Sequence, residues 1–92
     1  MKTIYRLNDK IILREEENNT YLCYNVLTKD LYAINNIGHT IIDKACNSKN
    51  IESVIEEVCK ELNENIVESQ NDIREYISSL VESGILVENK NE

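Results

Sequence analysis

Two hydrophobic rhythms divide the chain. In the first third, apolar side chains come in short branched or aromatic blocks, KIILREEE over Lys10 to Glu17 and TYLCYNVL over Thr20 to Leu27. Such blocks favour extended backbone, because branched and aromatic side chains pack well on a pleated surface. Glu17-Asn18-Asn19 separates them as a hairpin turn, so an antiparallel pair is expected. A period of two then places Tyr21, Cys23 and Asn25 on one face and Leu22, Tyr24 and Val26 on the other. Thr28-Lys29-Asp30 has the polar character of a second turn, and LYAI, Leu31 to Ile34, supplies a third strand.

Beyond Asn35 the spacing becomes helical. Asn35 or Asn36 caps a first helix whose Ile37, Ile41, Ile42 and Ala45 share a face. After the break Asn47-Ser48-Lys49-Asn50, the residues Ile51, Val54, Ile55, Val58, Cys59 and Leu62 form an apolar stripe, with Glu52, Glu56, Glu57, Lys60 and Glu61 opposite. Ser69 and Asp72 have the spacing of a capping box, and Ile73, Tyr76, Ile77, Leu80 and Val81 continue as a third stripe ending near Gly84. Ile85-Leu86-Val87 is expected to dock on the core or add a small strand, and Glu88 to Glu92 to fray. The expected fold class is therefore α+β, a three-stranded antiparallel sheet followed by three helices that pack on one side of it. At 92 residues, one domain spanning 1–92 is expected.

Composition narrows the function. The net charge is −7, yet the first fourteen residues carry Lys2, Arg6, Lys10 and Arg14 against Asp9, about +3, leaving about −10 for the rest. From Glu15 onward the cations stand singly, so a nucleic-acid partner, which needs clustered Lys and Arg, is not expected. Cys23, Cys46 and Cys59 are too widely spaced for a zinc or iron–sulfur motif and read as reduced, buried apolar side chains. No stretch is apolar enough for a membrane span and the first residues lack a signal-peptide core, which points to a cytoplasmic protein. His39 has no nucleophile or second ligand near it in sequence and reads as a surface residue. Glu15-Glu16-Glu17 cannot all face one point from a strand and reads as a solvated hairpin end. No catalytic constellation, metal site or cofactor motif is expected.

The order of elements, with TKDLYAIN (Thr28 to Asn35), INNIGHTIID (Ile34 to Asp43), NIESVIEEV (Asn50 to Val58) and NDIREYISSLVESGILVE (Asn71 to Glu88), resembles the PqqD-like family over about Lys10 to Val87. The matching features are an aliphatic-Asn strand end at Ile34-Asn35, a Gly-containing helix start at Gly38, Asp72-Ile73, and Gly84-Ile85-Leu86. The family often has an aromatic residue in the first helix, where this chain has Ile41 and Ile42. The resemblance implies a winged-helix fold and a non-catalytic role as a recognition element for ribosomally synthesised, post-translationally modified peptides. Its members bind the leader segment of a precursor peptide as an added strand and hand it to a modifying enzyme, such as a radical-SAM maturase or a leader protease.

Carried over by position, Lys29, Asp30, Leu31, Tyr32, Ala33 and Ile34 form the docking edge, and Asp72, Arg74, Glu75, Tyr76, Ser79 and Leu80 the opposing helical wall. An edge strand offers unpaired main-chain groups that an extended peptide satisfies. Residue by residue, Tyr76 and Leu80 read equally as core, and Lys29 and Arg74 as solvated charges. The same edge would allow a homodimer. Two other classes compete: a winged-helix DNA-binding regulator, disfavoured by the glutamates of the second helix, and an acidic carrier protein, which lacks its Asp-Ser attachment pair here.

Overall fold

The computed structural model describes residues 3–89. The elements in order are β1 (Tyr5–Leu7), β2 (Ile11–Glu15), β3 (Tyr21–Asn25), β4 (Leu31–Ile34), α1 (Asn36–Ala45), α2 (Ile51–Leu62), α3 (Ile66–Glu82) and β5 (Leu86–Glu88). Strands β2, β3 and β4 form the expected antiparallel sheet, followed by three helices in a winged-helix-like α+β arrangement. The β2–β3 turn has Asn18 and Asn19 at φ 61° and 58°, the left-handed pair that lets a two-residue hairpin follow the strand twist.

Register fixes which face is inside. Tyr21 lies opposite Ile34 and Cys23 opposite Tyr32, so these side chains share the inner face. Cys23 is fully buried and Ile34 nearly so, whereas Leu31 and Ala33 point outward with Tyr24 and Leu22. Asn25 is also buried, and its Oδ1 accepts from the Leu27 and Thr28 amides at 2.9 and 3.1 Å, which makes the polar burial affordable. Against this face pack Ile41, Ile42 and Ala45 of α1, Val54, Ile55, Val58 and Cys59 of α2, and Ile73, Ile77 and Leu80 of α3.

Asparagine caps all three helices. The Asn35 side chain accepts from the Gly38 amide, Asn50 from Ser53, and Asn65 from Val67 and Glu68. The third corrects the expected start at Ser69: α3 begins at Ile66, because Asn65 satisfies the free amides a turn earlier. A second correction concerns the ends of the chain. β1 and β5 pair antiparallel as a separate two-stranded sheet, with Leu7 opposite Leu86, so Tyr5–Leu7, ahead of Lys10, adds a strand. Glu88 belongs to β5 and Asn89 donates to the carbonyls of Ile4 and Thr3, so these two residues of the expected frayed tail are tied down; the remainder of that tail, 90–92, lies outside the described residues. Ile37, expected on the buried face of α1, is 53% exposed.

Candidate functional site

The edge of β4 away from β3 is unpaired among the described residues. Its chemistry follows from the ladder. The Asn25 amide donates to the Asp30 carbonyl at 2.9 Å, and bonded pairs alternate along an antiparallel ladder. Tyr32 and Ile34 therefore bond back to Cys23 and Tyr21, while the main-chain N–H and C=O groups of Leu31 and Ala33 point to the open side. That edge begins at a tight turn in which Lys29 adopts φ 70°, its amide donating to the Asn25 carbonyl at 2.8 Å, and Asp30 accepts from the Thr28 hydroxyl at 2.8 Å.

Tyr76 of α3 closes the groove beside this edge. It is half-buried, and burial first, then nearby Cys23, holds its hydroxyl above the ordinary tyrosine range. Its hydroxyl sits directly over Gly38: a Cβ there would collide with it and lie 2.7 Å from Ile34 Cγ2. Glycine at the first turn of α1 thus makes room for the ring between helix and strand. Tyr76 then lines two adjoining hollows. One, about 370 Å³, is shared with Thr20, Ala33 and Asn35 at the strand edge. The other, also about 370 Å³, is floored by Ile37, Ile41, Val58, Leu62 and Ile73, with Glu64, Ser69 and Asp72 among its lining residues. His39, expected at the surface, is half-buried and stacked on Tyr21 at 3.8 Å between ring centroids and 6° between planes, locking α1 to the sheet beside Ile34.

The residues singled out in the sequence separate into groups. Ala33 and Tyr76 meet in the first hollow, and Asp72 lines the second. Leu31 is 60% exposed, and Tyr32, although it shares the inner face, is 37% exposed. Glu75 and Ser79 lie exposed on α3, the Ser79 hydroxyl donating to the Tyr76 carbonyl. Ile34 and Leu80 are buried in the core, 5% and 4% exposed. Arg74 is on the opposite flank of α3: its guanidinium approaches Glu52 at 3.5 Å and lines a different cleft with Tyr5 and Glu88, so the fold does not bring it to the β4 groove. The reason is angular, since positions 74 and 76 point about 200° apart around a helix.

Sequence reasoning missed Ile37, Leu62, Glu64 and Ser69 as groove residues. Ile37 carried the clearest signal, an apolar residue one turn ahead of the core stripe that the sheet does not cover. Among the described residues, no three His, Cys, Asp or Glu side chains converge as a metal site, and no helix is long and apolar enough to cross a membrane.

No protein-family model matches the sequence, and no curated protein is similar enough to count as a relative. Two solved structures share the fold. TbiB1 in complex with the TbiA(beta) leader peptide aligns over 99% of this chain and 100% of its own, with a TM-score of 0.73 at 15% identity. A lasso peptide synthetase B1 complexed with the leader peptide aligns over 92% and 99%, with a TM-score of 0.75 at 15% identity.

Proposed function

We propose that this chain is a PqqD-like recognition element that binds the leader segment of a ribosomally made precursor peptide by strand addition and presents it to a separate modifying enzyme. The observation that carries the reading is the outward-facing main chain of Leu31 and Ala33 beside a groove walled by Tyr76. An extended peptide laid there gains main-chain bonds from the edge, while the hollows beside Tyr76 select its side chains. The two structures with the same fold were both determined with a leader peptide bound, which supports the same occupant here. The lasso peptide synthetase among them favours a product of that class and a maturation enzyme, such as a leader protease, as the recipient.

The winged-helix DNA-binding alternative is disfavoured among the described residues: α2 exposes Glu52, Glu56, Glu57 and Glu61, and Lys44 is held by Glu61 at 3.1 Å. The test is a titration of isotope-labelled protein with synthetic leader segments of candidate precursor peptides. Resonances of Leu31 to Ile34 and of the Tyr76 flank of α3 should shift. Shifts confined to the Arg74 flank or to the β1–β5 sheet would refute the placement.

A further inference from the structure

Resting on the strand-addition reading above, we propose that the site selects peptides in which a bulky apolar side chain stands two residues from a lysine or arginine, the spacing that puts both on one face of an added strand. The second hollow has an aliphatic floor made of core residues: Ile41, Val58 and Ile73 are 4%, 1% and 6% exposed. Ile37 completes it, left 53% exposed on the first turn of α1, and would be covered by an apolar side chain entering the hollow. The polar lining has one sign. Glu64 and Asp72 both contribute, and from Glu61 to Ile73 the chain carries Glu61, Glu64, Glu68 and Asp72 with no Lys, Arg or His.

Two carboxylates of α2 are already engaged by cations. Glu52 is taken by Arg74 and Glu61 by Lys44, whereas among the described residues Glu64 and Asp72 are in no ion pair. The main chain of Glu64 is held by the helix end. Asn63 adopts a left-handed conformation at φ 57°, and the Glu64 amide donates to the Cys59 carbonyl at 2.9 Å, so the turn into α3 holds this residue at the hollow. A negative potential beside a low-dielectric wall strengthens attraction for a cation arriving with an apolar neighbour and repels an acidic peptide. The floor therefore takes the apolar side chain, and the two carboxylates take the cation two residues away on the same face.

The test is selection of a randomised library of short synthetic peptides on the immobilised full chain and on the Glu64→Gln, Asp72→Asn double variant. Both positions are exposed, so the variant keeps the fold. The wild-type chain should enrich apolar residues two positions from Lys or Arg, and the variant should lose that enrichment by roughly threefold to tenfold while still retaining apolar peptides. No preference for a cation, or the same preference in the variant, overturns the charge selection alone if the retained peptides still shift the Leu31 and Ala33 amides. Retained peptides that leave those amides unmoved, or a library with no binder, overturn both the selection and the strand-addition reading.

Discussion

The molecule contains two small sheets, one closed at its ends and the other left open along an edge. In the β1–β5 pair, the Asn8 side chain donates to the Gly84 carbonyl at 2.8 Å and its amide to the Ile85 carbonyl at 3.0 Å; at the other end Asn89 donates to Ile4 and Thr3. Leu86, 1% exposed, anchors this pair in the core. In the larger sheet, the outward main chain of β4 is unpaired among the described residues, flanked by exposed Leu31 and by the groove under Tyr76. Proteins ordinarily blunt free edges because they invite uncontrolled pairing. Two asparagines tie the strand ends of one sheet together, whereas the other keeps an open edge next to a shaped groove, which is what a binding edge requires.

Substitutions should separate the two regions. The largest effect belongs to the closed one: Leu86→Ala deletes a buried side chain and should cost about 2–5 kcal/mol in urea unfolding, against no more than about 0.5 kcal/mol for Leu31→Ala on the open edge. Equal costs would erase the distinction. Next, Gly38→Ala forces a Cβ against Tyr76 and Ile34. Overpacking of about 1–3 kcal/mol opposes a helix-propensity gain of about 1 kcal/mol, leaving a net loss of roughly 0–2 kcal/mol. Adding Tyr76→Phe removes the colliding hydroxyl, so a double-mutant cycle should recover part of that loss; strict additivity would show that the ring does not occupy the space above Gly38.

The smallest effect on stability is expected from Ala33→Pro. Its amide points away from β3, so the ladder keeps its bonds and an edge strand tolerates proline. Peptide affinity should nevertheless fall about tenfold, the worth of one lost main-chain bond of about 1 kcal/mol together with its steric consequences. Unchanged affinity measured by calorimetry would remove the edge from the binding site.

The sequence was most informative where two signals coincided. Strand β3, helix α2 and the close of α3 at Gly84 were legible because alternation or an apolar stripe met a turn residue or cap, and Gly84 does adopt φ 82°. The start of α3 was hidden because Ser69 and Asp72 imitate a cap, while Ile66 and Val67 in the true first turn are 40% and 73% exposed and extend no stripe. β1 was hidden for a different reason: three residues carry too little periodicity, and its partner β5 lies about eighty residues away in sequence. For the groove, the hydrophobic pattern is silent: the candidate edge and the α3 wall come from the family resemblance, which groups Arg74 with Tyr76 although the helix turns them apart. Only the packing of Tyr76 over Gly38 distinguishes the flanks.

Amide hydrogen exchange along β4 tests the central claim most directly. In the free protein Tyr32 and Ile34, bonded to β3, should exchange slowly and Leu31 and Ala33 quickly; saturating leader peptide should slow Leu31 and Ala33 and leave the other two little changed. Bound peptide with Leu31 and Ala33 still exchanging at their free rates would contradict strand addition at this edge.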